Sequence, residues 1–360
     1  MSRQVGIGII GAGVISAIYL KNLTTRWPHV KVIGVADILV DRAEARAAEY
    51  GVLALSIDGL LVHPEIEIVI NLTIPAAHAE VSQQIIAAGK HPYTEKPLAI
   101  DLAAGKAVIE AAATAGVRVG DAPDTFLGAG LQTVRKAIVD GLIGTPISFN
   151  ARMITHGMED WHPDPFFFYQ PGAGPMLDMG PYYVTALTTI LGPSASVSSR
   201  TTAGFAERLV TAEGPRTGTM VPVNTATHIE SVIELESGVI GTLTTSFDLY
   251  DPEHSWFMIY GTEGSIRLPD PNTFGGPVKV YTAAREWVEL PLVNDIYADD
   301  SRGLGVQDMA RAILEGGPHR ASGALGYHVL EVMLGAIKSG ETRETVTIES
   351  TVERPAPFLG

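Results

Sequence analysis

The first 37 residues constrain the fold most strongly, because a buried strand leads directly into a glycine-rich turn. Val5–Ile10 is an uninterrupted run of apolar residues and glycine, which predicts a strand buried on both faces. Gly11-Ala12-Gly13-Val14-Ile15-Ser16 follows at once, a helix is predicted over about 15–24, and a second strand over 30–36 ends at Asp37. Strand, glycine turn, helix, strand and acid in this order predict a dinucleotide-binding unit.

Each residue of this turn has a distinct predicted task. Gly11 permits the tight turn, Gly13 lets backbone N–H groups approach a pyrophosphate, and the helix start favours negative charge. Ser16 replaces the third glycine of the motif, and its small side chain is compatible with close helix–strand packing. Asp37 would accept hydrogen bonds from the adenosine ribose and repel a 2′-phosphate, which favours NAD over NADP, although Arg42 softens that preference. The alternative is a tight turn that binds nothing.

The strand–helix alternation continues through the first 120 residues. Further strands are predicted at 67–72, 91–94 and 117–119, and helices at 78–88 and 102–115. Such regular alternation predicts an α/β fold with a doubly wound parallel sheet and right-handed crossovers.

Glu95-Lys96-Pro97 directly follows the predicted strand at 91–94. The residue before a proline is restricted to extended conformations, so Lys96 is expected at the strand end. Open α/β sheets bind their ligands at the carboxyl ends of the strands. Lys96 is therefore a candidate site residue, the alternative being a surface ion pair beside a turn.

Length and charge limit the classes of protein that the chain can represent. The 360 residues suggest about two domains, which we place at 1–122 and 123–360. A formal net charge of −15 argues against nucleic acid or an anionic membrane as a partner, since both require a basic surface. The chain has no cysteine, and the apolar stretch 5–20 is short for a membrane span, so a cytoplasmic protein is expected.

The second half changes to strand periodicity with few helices. A helix is predicted at 127–140, and 242–249 alternates apolar and polar residues, as one half-covered face of a sheet requires. Residues 256–260 and 265–268 flank a glycine-bounded turn and predict a hairpin. Further strands are expected at 278–281 and 287–290, and late helices at 304–315 and 324–338. This pattern predicts an α+β domain with an open, mainly antiparallel sheet, and we expect the late helices to pack back on the first domain.

A glycine-rich segment at 172–183 leads into a predicted helix that ends at 191. Asp178 and Tyr182 are four residues apart and therefore share one helix face. Gly180 between them is expected to leave room for a ligand. Upstream, Trp161 and His162 lie in an aromatic, proline-rich loop, and aromatic faces of this kind bind sugar rings. A loop packed on its own aromatic residues is equally consistent with this composition.

No metal is expected in this loop. His156, Asp160, His162 and Asp164 lack the paired or helical spacing of metal ligands.

The order of the glycine turn, Asp37, the turn from Thr73 to His78, and Glu95-Lys96-Pro97 resembles the glucose–fructose oxidoreductase / inositol dehydrogenase / rhizopine-catabolism (Gfo/Idh/MocA) family. The resemblance covers nearly the whole chain and implies a Rossmann domain, an open-sheet domain, and a homodimer or homotetramer. It implies an NAD(P)-dependent oxidoreductase acting on a sugar, sugar derivative or cyclitol. Cofactor contacts are expected at Gly11, Ala12, Gly13, Val14, Ile15, Asp37, Arg42, Thr73, Ile74, Pro75, His78, Glu95, Lys96 and Pro97.

In that family a Lys, an Asp and a His act at the substrate. Lys96 and Asp178 match the first two, whereas Tyr182 stands where the His usually is, so the general base is open. Oxidation of an alcohol sends hydride to the nicotinamide and the hydroxyl proton to a base. We expect Lys96 to stabilise the developing negative charge and Tyr182 to accept the proton. Asp178 is expected to orient a neighbouring hydroxyl or to hold Lys96 charged, and Trp161 and His162 are also expected at the substrate.

Other assignments remain open from sequence alone. His162 or His328 is the alternative base. The enzyme class also has alternatives: a lyase or hydrolase that uses NAD transiently, and a non-catalytic NAD-binding regulator.

Overall fold

The computed structural model describes residues 3–251 and 253–358. The chain forms two compact units. The first comprises the residues up to Leu127 together with Asp300–Leu330, and the second comprises Gly128–Asp299 together with the residues from Glu331 onward.

Strands account for most of the regular structure of the second unit and for the centre of the first. In chain order they are β1 (Val5–Ile10), β2 (Val30–Ala36), β3 (Leu53–Ala54), β4 (Ile68–Asn71), β5 (His91–Thr94), β6 (Gly120–Asp121), β7 (Pro146–Ile154), β8 (Ser194–Thr202), β9 (Glu207–Leu209), β10 (Met220–Pro222), β11 (His228–Leu235), β12 (Ile240–Ser246), β13 (Ser255–Gly261), β14 (Gly264–Arg267), β15 (Val278–Thr282), β16 (Trp287–Leu290) and β17 (Val346–Thr347).

The helices alternate with the first six strands and flank the later ones. They are α1 (Ser16–Thr25), α2 (Val40–Tyr50), α3 (Ile57–Val62), α4 (His78–Ala87), α5 (Leu102–Ala115), α6 (Ala129–Val139), α7 (Pro175–Leu191), α8 (Leu304–Glu315) and α9 (Gly323–Thr342). Single 3-10 turns cover Pro75–Ala77, Thr125–Leu127 and Phe166–Tyr169.

The first unit is built on a six-stranded sheet in the order β3-β2-β1-β4-β5-β6, with every adjacent pair parallel. This is the strand order of a Rossmann fold, in which ligands bind at the carboxyl ends of the strands. β1 is buried along its whole length because it lies at the centre of the sheet. The predicted doubly wound parallel sheet is confirmed.

The second unit is built on a nine-stranded sheet in the order β16-β15-β14-β13-β7-β12-β11-β8-β17. Among the described strands of this sheet, only β7 and β12 pair in parallel, so the sheet is mainly antiparallel, as expected. The predicted hairpin is present, since Tyr260 of β13 pairs with Ser265 of β14. β9 and β10 form a separate two-stranded ribbon.

The burial pattern of β11 shows that one face of this sheet is covered and the other is open to solvent. Its residues alternate strictly between buried and exposed or half-buried positions, with Ile229 and Ile233 in the core and Val232 outward. The period of two places every second side chain on the same face. α7 contacts β7, β11 and β12 and covers the inner face.

One predicted strand is wrong. We expected a strand at 117–119, but the parallel pairing with β5 begins at Gly120, which lies opposite Tyr93. A Cβ at Gly120 would lie 2.3 Å from the Tyr93 ring, so the strand can approach β5 only where the chain has glycine. The Val119 carbonyl instead accepts the N–H of Gly323.

Among the described residues, no helix combines the length and the apolar character needed to cross a bilayer.

Candidate active site

The glycine turn after β1 has the geometry that the motif predicts. Gly11 has φ +106°, and a Cβ there would lie 2.5 Å from the Leu72 carbonyl oxygen, so glycine is required. A Cβ at Gly13 would meet nothing within 4 Å, which leaves its backbone open to a ligand. Ser16 is buried, and its hydroxyl donates to the Gly13 carbonyl at 2.6 Å, which ties the turn to the first residue of α1.

Asp37 lies at the end of β2 and closes this turn. One carboxylate oxygen accepts the Ala12 N–H at 2.7 Å, and the other accepts the Leu39 N–H at 2.8 Å. Each carboxylate oxygen has two lone pairs, so both can accept a further hydrogen bond.

A cavity of about 330 Å³ lies beside this carboxylate in the first unit. The predicted cofactor residues that line it are Gly11, Gly13, Asp37, Arg42, Thr73 and Ile74. Apolar side chains, among them Ile38, Ile57 and Val81, form the rest of its wall. Arg42 also lines an adjacent depression with Ala12, Val14 and Arg46. An apolar slot beside a carboxylate and an open glycine backbone fits the adenosine end of NAD.

His78 acts on the backbone of two loops. Its Nδ1 is 2.7 Å from the Pro97 carbonyl oxygen, and its Nε2 is 3.0 Å from the Thr73 carbonyl oxygen. Burial lowers the pKa of this imidazole, although both carbonyls oppose that effect. Its ring therefore joins the turn after β4 to the Glu95-Lys96-Pro97 segment after β5.

Asn71 was missed by the sequence analysis, and it supports the same turn. It is fully buried, its amide donates to the His78 carbonyl at 2.9 Å, and its oxygen accepts from the Thr73 hydroxyl at 2.6 Å. An asparagine at the last position of a strand is the sequence signal that identifies it.

Glu95 fixes the backbone of Lys96. One of its oxygens accepts the Lys96 N–H at 3.0 Å, and the other accepts the hydroxyl of Tyr19 at 2.8 Å. Tyr19 is fully buried on α1, three residues after Ser16. The glycine-turn helix and the lysine segment are thus linked by one side-chain contact, which the sequence analysis did not predict.

Buried acids lie close to Glu95 in the first unit. Burial, together with the charge of Glu95, raises the pKa of Asp121 well above its usual range. Burial also raises the pKa of Asp124 to about 6, even though this carboxylate accepts the N–H groups of Gly303 and Gly305 at the start of α8, each at 2.9 Å.

In the second unit, Asp178 and Tyr182 both lie on α7, one turn apart, as the spacing predicts. Asp178 is in the first turn of the helix, where a carboxylate is favoured by the helix dipole. Its N–H donates to the Gly174 carbonyl at 3.0 Å. Tyr182 is largely buried.

The expectation that Gly180 leaves room for a ligand is wrong. A Cβ at this position would lie 2.9 Å from the sulfur of Met176 and 3.1 Å from that of Met333. The glycine is needed because α7 packs closely against these methionines.

Trp161 and His162 lie on the loop between β7 and α7. Trp161 is 60% exposed, and the His162 ring packs edge-on against Trp161, Phe167 and Phe168 at centroid distances of 5.3–5.6 Å. The Nδ1 atom of His162 accepts the Asp164 N–H at 3.1 Å. The Nδ1 lone pair is therefore occupied, and in the neutral ring the proton is on Nε2, which can donate a hydrogen bond to a ligand. His328, the other alternative base, is fully buried.

Within residues 3–251 and 253–358, no group of three or more His, Asp or Glu side chains could hold a metal ion.

The loop between β7 and α7 is held by a buried ionic cluster that was not predicted from the sequence. It consists of Arg208, Glu159, Tyr169 and Asp248. Its members are up to 89 positions apart in the chain (248 − 159), and a lone arginine in a three-residue strand carries no recognisable sequence signal.

The first unit therefore defines a dinucleotide-binding protein, and comparison with known proteins specifies its class. Residues 5–121 match the model of an oxidoreductase family with an NAD-binding Rossmann fold, and residues 131–267 match the GFO/IDH/MocA C-terminal domain. The chain belongs to the Gfo/Idh/MocA family of NAD-binding oxidoreductases.

Relatives match along almost the whole chain. A 1,5-anhydro-D-fructose reductase of Ensifer adhaerens is 27% identical, covering 95% of this chain and 98% of the relative. An inositol 2-dehydrogenase of Rhizobium meliloti (strain 1021) is 22% identical, covering 96% and 99%. The structure of a levoglucosan dehydrogenase in complex with NADH and L-sorbose has a TM-score of 0.81 at 21% identity, covering 97% of this chain and all of that one (100%).

Proposed function

We propose that the protein transfers hydride between NAD and a secondary alcohol or ketone of a sugar, sugar derivative or cyclitol. The observation that carries this proposal is the full-length similarity to a reductase of an anhydrosugar and a dehydrogenase of inositol. Both relatives are named for reactions at cyclic polyols or their ketones.

Lys96 is proposed as the group that binds the reacting oxygen. NAD supplies the hydride acceptor. Because the Lys96 backbone is held by Glu95, and Pro97 by His78, the lysine stem starts from a fixed point. From there its ammonium group would stabilise the negative charge that develops on the reacting oxygen.

Tyr182 is proposed as the proton acceptor in oxidation, and as the donor in reduction, with Asp178 orienting it or the substrate. The two side chains share a face of α7. The assignment is favoured over His162 because the Nδ1 atom of that ring already accepts the Asp164 N–H.

The cofactor contacts are proposed at the glycine turn and around the cavity in the first unit. Asp37 would bind the adenosine ribose and disfavour a 2′-phosphate. The position of Arg42 at the cavity supports a weaker secondary use of NADP.

Trp161 and His162 are proposed to contact the substrate, because an exposed indole supplies the apolar face that packs on sugar C–H groups. His162 would act there as a hydrogen-bond donor.

We further propose a cytoplasmic homodimer or homotetramer. The outward face of the nine-stranded sheet supports the oligomer, because Val232 and Ile240 are both 48% exposed there. Apolar residues on an open sheet face can pack against a second copy of the chain.

The test is a screen of pyranoses, anhydrosugars and inositols with NAD and with NADP, in which reduced cofactor is followed at 340 nm. We expect NADH in proportion to the substrate consumed, and a higher kcat/KM with NAD than with NADP. Asp37→Ala should narrow that difference, whereas Asp41→Ala, in the first turn of α2, is the matched control.

Other outcomes would contradict parts of the proposal. Product without net NADH would identify transient use of NAD, and NADH binding without turnover of any substrate would identify a regulator. A wild-type preference for NADP would overturn the role of Asp37.

A further inference from the structure

Arg208 forms the centre of the buried ionic cluster in the second unit. Its side chain is only 2% exposed. Nη1 donates to a Glu159 carboxylate oxygen at 2.6 Å, and Nη2 pairs with the Asp248 carboxylate. Two acidic groups thus face one cation.

The guanidinium also holds backbone groups from two segments. Nη1 donates to the His156 carbonyl at 2.9 Å, and Nη2 donates to the Phe247 carbonyl at 2.8 Å. The remaining Glu159 oxygen accepts the Tyr169 hydroxyl. The Met158 N–H contacts both of these groups, at 2.9 Å from Glu159 and 3.1 Å from the Tyr169 oxygen.

These contacts fix both ends of one loop. Residues 156–159 are held at its start, and Tyr169 at its end. The Glu159 carbonyl adds a third tie, since it accepts the N–H groups of Thr211 and Ala212 at 2.8 and 2.9 Å. The exposed Trp161 and the neighbouring His162 lie between the fixed ends.

Stability alone is a weak reason for such a cluster. Burying an arginine and two carboxylates costs desolvation energy, and apolar residues of similar volume often stabilise a core as well or better. A planar guanidinium that bonds to two carboxylates and two carbonyls instead dictates one geometry. The cluster is therefore better suited to placing the loop than to strengthening the core.

We propose that Arg208 is a positioning residue: acting through Glu159 and Tyr169, it holds the 156–169 loop so that Trp161 and His162 are correctly placed for the sugar. This inference rests on the proposed function, since it concerns the substrate contacts of that same site. Arg208 itself need not touch the substrate.

The test uses Arg208→Lys, which keeps the charge but cannot make the four bonds together, and Tyr169→Phe, which removes one hydroxyl and keeps the ring. We expect KM for the sugar to rise on the order of tenfold or more with a smaller change in kcat, because small misplacements of binding groups are costly. The dissociation constant of NADH, measured by fluorescence, should not change.

Glu331→Gln is the matched control. Glu331 is also largely buried and holds a backbone segment of the second unit, through the N–H groups of Glu349 and Ser350. This variant should lower the melting temperature and leave KM unchanged.

Two further readouts separate positioning from folding. Hydrogen exchange should increase in residues 155–169 of Arg208→Lys and not in α7. Trp161→Ala should raise KM less in the Arg208→Lys background than in the wild type, because the two changes act on one contact.

The possible failures are distinguishable. If the wild type is active, any one of three results would overturn the inference and leave the proposed function intact. They are an unchanged KM in Arg208→Lys, additive effects of Trp161→Ala and Arg208→Lys on KM, and unchanged hydrogen exchange in the loop. If none of the sugars or cyclitols supports reduction of NAD by the wild-type protein, the proposed function is overturned. The hydrogen-exchange result would then decide by itself whether Arg208 holds the loop in place.

Discussion

At the scale of single residues, Lys96 is held by a chain of contacts that begins at the glycine turn. Tyr19 on α1 bonds to Glu95, and Glu95 bonds to the Lys96 backbone. The sequence identified Lys96 through the proline that follows it. It could not identify Tyr19, because a tyrosine on the buried side of a helix is indistinguishable from an ordinary core residue.

We expect Tyr182→Phe to lower kcat on the order of 10²–10⁴-fold, because it removes the proposed proton acceptor. Lys96→Met should lower kcat by on the order of 10²–10³-fold through lost stabilisation of the oxyanion. Steady-state kinetics across pH would measure both, with NADH binding as the check on folding. Lys106→Met, an exposed lysine on α5, is the control. Full kcat in Tyr182→Phe at every pH would remove Tyr182 from the mechanism.

Asp124 gives a prediction about pH and stability. Its folded-state pKa of about 6 lies above the ordinary aspartate value of 3.8, because burial disfavours the charged form. The folded state therefore binds the proton more tightly, so the contribution is most favourable below about pH 4 and is lost as pH rises through 6. Asp124→Asn, whose amide oxygen can still accept from Gly303 and Gly305, should avoid that loss.

We expect the stability of Asp124→Asn relative to the wild type to increase by about 1–3 kcal/mol between pH 4 and pH 7. Urea unfolding at a series of pH values would measure it. Asp101→Asn, at the exposed start of α5, controls for the loss of a surface carboxylate. A stability difference that does not vary with pH would show that Asp124 is not protonated preferentially in the folded state.

At the scale of elements, the sequence predicts best where a local pattern decides the structure. The bounds of β1, β2, β5 and α5 agree with prediction to the residue, since each is a run of one periodicity between clear turn residues. α2 was not predicted, although its composition favours a helix. Its only buried side chains are Ala43 and Ala47, which form too thin an apolar stripe to be recognised.

Elements fixed by tertiary contacts were predicted less well. β6 was placed three residues early, because the apolar 117–119 stretch has the appearance of a strand, while the pairing depends on the close approach of Gly120 to Tyr93. The parallel pairing of β7 with β12 joins segments about ninety residues apart, such as Ser148 with Ile240. No local sequence pattern specifies a partner at that distance.

In the candidate site too, residues in short local motifs were predicted, and residues whose role depends on tertiary contacts were not. The glycine turn, Asp37, Lys96 and the Asp178–Tyr182 pair were predicted as site residues because each is a short motif with its own chemistry. The supports of the site, such as Asn71, were missed because their meaning comes from contacts. Arg208 is the clearest example, since four bonding groups from distant segments of the chain give it its role.

At the scale of the whole molecule, the first unit is assembled from two separate parts of the chain. Residues 300–330 supply α8, whose Leu304, Val306 and Met309 are fully buried. Polar contacts accompany this packing, because the Asn22 amide donates to the carbonyls of Asp300 and Arg302 at 3.0 and 2.8 Å. The Rossmann motif ends well before this segment, so the expectation that the late helices pack on the first domain came without the contacts that hold α8 there.

This organisation predicts that residues 1–127 alone do not form a stable NAD-binding unit. Without α8, Asp124 loses both backbone donors, and each exposed core side chain costs about 1.5–3 kcal/mol against a typical total of about 5–15 kcal/mol. Joining residue 127 to 300–330 through a flexible linker of about eight residues should restore cooperative unfolding and NADH binding. Circular dichroism during urea unfolding and NADH fluorescence would measure both chains. The control is the linked chain carrying Met309→Asp, which should neither unfold cooperatively nor bind NADH. Equal urea midpoints for residues 1–127 alone and for the chain linked to 300–330 would contradict the prediction.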